Sequence, residues 1–574
     1  MELMLGNKAV ARGAYESGVR VATAYPGTPS TEITEFIAKY DEIYTEWSPN
    51  EKIAMEVAIG ASFAGGRAMV SMKHVGLNVA ADPLFTVSYT GVNGGLVIVV
   101  ADDPGMHSSQ NEQDSRYYAR SAHIPMLEPA DSQESKDYIK LAFELSEKYD
   151  TPVMVRLTTR ISHSQSMVSV AESLPVRIRE YTKNPQKNVM MPAMARARHV
   201  FVEQRMKDLS EDSSKFDINE IEMGDKQVGI IASGIVYQYA KEAFPGASFL
   251  KLGMVHPLPK DLILDFASRV NTLYVLEELE PIIEEQIKSW GIRVIGKELF
   301  SVQGEYTPNM IEQAIKATFI DTRPPEILPN RPPVLCPGCP HRAVFHTLKR
   351  LRLTATGDIG CYTLGALSPL EGLDTCVCMG ASIGMAHGFE KVRGKDFAKK
   401  MVGIIGDSTF IHSGIGGLID IVYNKGMSTV LILDNSITAM TGHQDNPSTG
   451  RTIKGEEAPV LDLVTLVKAV GINNIHVIDP FDLEVSRKVL KMELEREEPS
   501  VIIFKRPCAL LDKSRSHPLR IVPERCTDCG LCLRIGCPAI QRLDEGMIID
   551  DSLCNGCGLC ERICRFNAME RVDI

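Results

Sequence analysis

The first 335 residues of this 574-residue chain contain no cysteine. All fourteen cysteines lie beyond them: five between Cys336 and Cys378, one at Cys508, and eight between Cys526 and Cys564. Thiols stay reduced in most intracellular settings and rarely build disulfide frameworks there, so the clustering marks sites. No apolar run is long enough to span a bilayer; "GGLVIVVA" is among the longest. The opening "MELMLGNKAV" lacks the charged flank and apolar core of a signal peptide, so a cytoplasmic protein without a membrane partner is expected. No basic stripe offsets the net charge of −11, which argues against a nucleic-acid partner. No glycine-rich nicotinamide fingerprint follows a strand, so NAD is not expected as the direct electron acceptor.

What is present reads as several α/β domains, since the chain is too long for one core. Residues 1–180 alternate amphipathic helices with short β-rich runs such as "AMVSMKH" and "TPVMVRLTT", bounded by Gly, Pro or Asp as buried parallel strands are. Residues 181–225 are polar, then helical, and read as a linker. Alternation resumes over 226–325. A proline-rich stretch, "DTRPPEILPNRPPVLCPGCPHR", marks a boundary before a further α/β domain at 330–515. The tail, 520–574, holds too few apolar residues to fold without metal.

The tail contains Cys526, Cys529, Cys532 and Cys537, then Cys554, Cys557, Cys560 and Cys564. Two such runs are the mark of a two-cluster bacterial ferredoxin, in which the fourth cysteine of each run ligates the other cluster. One [4Fe-4S] cluster would then use Cys526, Cys529, Cys532 and Cys564, and the other Cys554, Cys557, Cys560 and Cys537. Four residues separate Cys532 from Cys537, where the common run has three. Crossing makes the extra residue tolerable, because Cys537 only has to reach the second cluster. Arg565 stands where a proline is usual after Cys564. Two zinc knuckles would use the same cysteine count and remain the alternative.

Upstream, "GDSTF" (Gly406, Asp407, Ser408) follows one strand, and "LDNSITAMTGHQ" (Asn435, Ile437, Thr441) follows the next. Asp407, the Asn435 side-chain oxygen and the Ile437 carbonyl could hold Mg²⁺ at the sheet edge while diphosphate oxygens complete its shell. Thiamine diphosphate also needs a carboxylate from another domain to hydrogen-bond its aminopyrimidine ring. Glu51 in "NEKIAMEVAIGASFAGG" is the candidate and Glu56 its rival; a helix N-terminal charge is the bland alternative for Glu51.

Together with "AYPGTPSTE" and "CPGCPHR", these stretches resemble the 2-oxoacid:ferredoxin oxidoreductases, in order along essentially the whole chain. The resemblance implies a pyrimidine-binding domain, a transketolase C-terminal-like domain, a diphosphate-binding domain and a two-cluster ferredoxin domain. It implies a third [4Fe-4S] cluster near the thiamine on Cys336, Cys339, Cys361 and Cys508, although Cys361 and Cys508 also suit buried small hydrophobes. Cys376 and Cys378 match no family position and read as core. Thr28 matches a threonine that contacts the 2-oxoacid. Arg116 matches an arginine binding its carboxylate, though a surface arginine is the alternative. Gly27 and Met440 stand where pyruvate-specific relatives carry bulky and polar residues, so an aryl 2-oxoacid, indolepyruvate foremost, is expected. Its oxidation would yield CO₂ and, with coenzyme A, an acyl-CoA, with electrons leaving to ferredoxin. A smaller beta subunit and a hetero-oligomer are further implications. The rivals are a non-oxidative thiamine decarboxylase with vestigial clusters and an electron-transfer subunit on an inactive thiamine fold. His341, His412 and His443 flank the motifs and suit structural roles at least as well as catalytic ones.

Overall fold

The computed structural model describes residues 1–316, 333–512, 517–544 and 546–572, in two compact units, Met1–Glu326 and Ile327–Ile574. The N-terminal unit is built on a seven-stranded sheet in the spatial order Met254–His256, Met126–Leu127, Val153–Thr158, Leu96–Asp102, Ala68–Lys73, Val21–Ala24 and Tyr44–Trp47. All neighbours are parallel except the first pair. Leu96–Asp102 is buried along its whole length, and its side chains divide by parity. Leu96, Ile98 and Val100 enter one apolar core, while Val97, Val99 and Ala101 enter another on the opposite face. That is why this strand reads as a continuous apolar run without alternation.

The 226–316 region builds a second sheet, Thr272–Leu276, Asp225–Ser233, Ala247–Leu252 and Glu220–Glu222, the last strand supplied by the stretch expected as a linker. It also lends the strand Met254–His256 to the first sheet. Residues 181–225, expected as a linker, hold the helix Pro192–Ser213, whose Val202, Arg205 and Leu209 are buried. The Arg205 guanidinium donates to the Ser88 and Asp150 carbonyls, which fixes this helix to the first domain.

The C-terminal unit has a six-stranded all-parallel sheet: Thr375–Cys376, Thr354–Gly357, Met401–Gly406, Thr429–Asp434, Ser500–Lys505, Asn474–Ile478. The same parity rule splits its cores, with Leu431 and Leu433 on one face and Val430 and Ile432 on the other. The expected boundary at residues 321–332 lies outside the described residues. The tail folds as two antiparallel ribbons, Leu519–Ile521 with Met569–Arg571 and Ile540–Leu543 with Gly546–Ile549. Its core is thin: Ile535, Leu559 and Met569 pack with its cysteines against Ala343 and Phe481. No described helix is long and apolar enough to cross a membrane.

Candidate active site

In the N-terminal unit, the chain leaves the strand Val21–Ala24 for Tyr44–Trp47 on one side and then adds Ala68–Lys73 on the other. Reversals of this kind open a ligand crevice at the carboxyl ends of the strands. Three segments meet there: the Tyr25–Thr28 turn, the start of the helix Glu51–Phe63, and Lys73–His74. Asn50 caps the helix by accepting from the Ile53 N–H, so Glu51 enters at the first helical position, buried. A β-carbon at Gly76 would lie 2.5 Å from the Glu51 carboxylate, so only glycine lets that carboxylate lie against the backbone. Glu56, by contrast, is exposed and paired with Lys52 on the outer face of the helix.

Lys73 runs beneath Gly27, where a β-carbon would meet its aliphatic stem at 3.2 Å. Its ammonium donates to the Ser108 carbonyl (3.0 Å), and the Ser108 hydroxyl donates to the Thr28 carbonyl (3.2 Å). Burial pulls the Lys73 pKa down to about 8, against the pull of Asp103 and Glu51. The neighbouring His74 ring contacts the Asn111 carbonyl at 3.2 Å, and burial lowers its pKa.

In the C-terminal unit, three adjacent strand ends present Asp358, Asp407 and Asn435. The Asn435 side-chain oxygen lies 2.7 Å from the Ile437 carbonyl oxygen and 3.3 Å from Asp407 Oδ1. Oxygens sharing an octahedral Mg²⁺ sit about 3 Å apart at ligand distances of about 2.1 Å. A divalent cation would satisfy all three; absent one, turning the amide would let its nitrogen donate to both partners. Burial, then the adjacent Asp434, pushes Asp407 up to about 7. Ser408 accepts from the Thr438 hydroxyl (2.9 Å), and the Gln444 amide donates to the Thr441 carbonyl (3.0 Å), closing the loop over this edge. A β-carbon at Gly406 would fall 2.8 Å from the Tyr362 ring. The helix after Asp407 carries a π-turn at Phe410–Gly414, a feature frequent at functional sites. These groups fit a metal-bridged diphosphate.

The cysteines form three groups. Cys526, Cys529, Cys532 and Cys564 line one cavity. Cys537 acts electrostatically on Cys557 and Cys560, and so does Cys554, which joins the four into a second group. Each tail group thus takes its fourth cysteine from the other run. Cys336 and Cys361 act on Cys339, and Cys508 and Cys336 on Cys361, giving a third group. Burial raises Cys339 to about 12 and Cys361 to about 11. Among the described residues no three Cys, His, Asp or Glu side chains close on one ion-sized point. Cys526, Cys529, Cys532 and Cys564, spread around a cavity, suit a cluster, whose body separates its ligands, better than one tetrahedral zinc. The Cys508 N–H donates to the Asn435 carbonyl (3.0 Å), so the third group adjoins the Asp407 edge.

Comparison with known proteins matches three stretches of the chain to family models. Residues 12–228 match the family model "Pyruvate flavodoxin/ferredoxin oxidoreductase, thiamine diP-bdg". Residues 358–504 match "Thiamine pyrophosphate enzyme, C-terminal TPP binding domain", and 547–570 match "4Fe-4S binding domain". The indolepyruvate oxidoreductase subunit IorA of Pyrococcus horikoshii is 41% identical over 99% of this chain and 97% of its own length. The same values hold for that subunit of Archaeoglobus fulgidus. The chain belongs to the IorA family. It is an oxidoreductase that uses thiamine diphosphate in oxidative decarboxylation and moves electrons through [4Fe-4S] clusters. A 2-oxoglutarate:ferredoxin oxidoreductase from Magnetococcus marinus aligns at 19% identity and a TM-score of 0.47 over 55% of this chain and 65% of that one.

Against this IorA-family background, two expectations change. Arg116 is 1% exposed, and each nitrogen of its guanidinium is engaged: with Asp114, with Glu277, and with the Glu278 and Glu280 carbonyls. It ties the first domain to the 226–316 region and is not turned toward a substrate carboxylate. Cys376 and Cys378 are exposed, not core. Met440 is also exposed, and the three histidines take local partners: His412 with Ser413, His443 with Cys508, and His341 against the Tyr362 ring. Sequence reasoning missed Lys73, Gly76 and Asp358. "ATGDIG" repeats the strand-Gly-Asp pattern of "IIGDSTF" and would have revealed Asp358. That residue accepts from the Gly380 N–H (2.9 Å) and the Ser382 hydroxyl (3.4 Å), and burial lifts it to about 7.

Proposed function

We propose that this chain is the catalytic subunit of an enzyme that oxidises aryl 2-oxoacids, indolepyruvate foremost, with coenzyme A and ferredoxin. In balance, one 2-oxoacid and one CoA thiol give CO₂, an acyl-CoA and a proton, and two electrons pass singly to two oxidised ferredoxins. The substrate assignment rests on the relatives' printed activity.

Bound thiamine diphosphate supplies carbanion stabilisation for the loss of CO₂. Glu51 holds the pyrimidine ring; Asp407, Asn435 and the Ile437 carbonyl hold Mg²⁺; and Gly406, Ser408 and Thr441 line the diphosphate. Thr28 faces the 2-oxoacid, and Lys73 takes the carboxylate-binding role first expected of Arg116. Cys336, Cys339, Cys361 and Cys508 carry a third [4Fe-4S] cluster. A smaller beta subunit completes the enzyme in the cytoplasm.

The observation that supports this reading most is the backbone bond from Cys508 to Asn435, which sets a thiol group beside the Asp407 edge. A non-oxidative decarboxylase has no use for that juxtaposition. An anaerobic viologen-reduction assay over a panel of 2-oxoacids, with and without the beta subunit, tests it. Reduction should be fastest with indolepyruvate and should require CoA. A preference for pyruvate would overturn the substrate assignment.

A further inference from the structure

One buried arginine joins two of the three cysteine groups. Arg342 is the second residue of the helix His341–Leu351, which starts directly after the Cys336–Cys339 turn, and it is 2% exposed. Its Nε donates to the Cys336 carbonyl (3.0 Å). Its Nη1 donates to the Ile535 carbonyl (3.0 Å) and to the carbonyl of Gly536, the residue before Cys537. Nη2 is buried with no partner among the described residues. Burial lowers its pKa, and the thiols of Cys537, Cys339, Cys336 and Cys557 act in the opposite direction, so both groups lie within its field.

A further link joins the same pair: the Asn555 amide donates to the Pro337 carbonyl (3.2 Å). Gly338 has φ +73°, and a β-carbon there would lie 2.1 Å from the Asn555 amide, so glycine is required for the approach. A β-carbon at Gly536 (φ +64°) would lie 3.2 Å from Arg342 Nη1.

We propose that Arg342 is a positioning residue that sets the reduction potentials of two clusters together, the one on Cys336, Cys339, Cys361 and Cys508 and the tail cluster that includes Cys537. Reduction adds negative charge to a cluster, and a desolvated cation beside it favours the reduced state. The open Nη2 would be free to donate to a cluster sulfur, a hydrogen bond of the kind that raises cluster potentials. Raising both together keeps electron transfer between them near balance. The inference rests on the third cluster of the proposed function.

The test is a redox titration of the holoenzyme, followed by electron paramagnetic resonance, for Arg342→Gln and Arg342→Lys after iron analysis. Two cluster signals should move to lower potential in the Gln variant, each by roughly tenfold in the reduced-to-oxidised ratio, or about 59 mV. The signal of the Cys526–Cys564 cluster should stay put, and Lys should recover more than half of the shift. Unchanged potentials in an iron-loaded Gln variant, or a Lys variant shifted as far as Gln, would overturn the proposal. Should Gln fail to load iron, Arg342→Met takes its place in the titration: a lowered pair of potentials supports the proposal and an unchanged pair overturns it. If the wild-type enzyme holds only two clusters, the third-cluster reading fails, while the Cys537-containing cluster still tests Arg342.

Discussion

Lys73 and Arg116 show how burial sorts two cations in one domain. Arg116 is closed into Asp114 and Glu277 with no solvent access, so removing it leaves two buried carboxylates uncompensated. Breaking a buried pair in this way costs about 3–5 kcal/mol. Arg116→Met should therefore lower the unfolding midpoint sharply, and its refolded fraction should keep the wild-type KM for the 2-oxoacid. A selective rise in KM with unchanged stability would return Arg116 to the substrate. Lys73 instead sits at the sheet edge with its pKa near 8, where an ordinary lysine stays charged to about 10.4. A lysine that holds a carboxylate must be protonated, so kcat/KM should fall as pH climbs through about 8. Lys73→Met should flatten that limb and raise KM. An unaltered pH profile in this variant would remove Lys73 from the substrate site. Composition could not separate the two cations, because the deciding partners, Glu277 and Ser108, lie far away in sequence from the residues they meet.

At the scale of elements, the strands were largely readable and the connections less so. Leu96–Asp102 and Thr429–Asp434 announce themselves as short β-rich runs ending in acidic residues at the sheet edge. The helix Pro192–Ser213 was legible as a helix but not as a packed one, since its polar surface hides the few contacts made by Val202, Arg205 and Leu209. Spacing gave the cysteine groups of the tail because cluster ligation is a local geometric demand. The third group joins three separate segments, and only a family resemblance, not spacing, could propose it. Its prediction belongs at this scale. Cys336→Ala should lose about four irons per chain, the content of one cubane cluster, while the tail signals persist. An unchanged iron count would refute the third cluster.

The whole chain joins an Asp407–Asn435 sheet edge, a carboxylate-bearing crevice and a cysteine-rich tail in one polypeptide. Glu51 lies in the N-terminal unit and Asp407 in the C-terminal one. The domain order was legible because each motif follows a strand that punctuates its own sheet. The added strand Met254–His256 was not, since three residues that pair across domains carry no periodic signal. The central claim is that carbon–carbon cleavage is coupled to the export of electrons. It is tested most directly by measuring CO₂ and reduced viologen together, anaerobically, from indolepyruvate and CoA with the complete enzyme. The account predicts one pair of electrons for every CO₂ released, with acyl-CoA as the product. Release of CO₂ with an aldehyde product and no viologen reduction would contradict it.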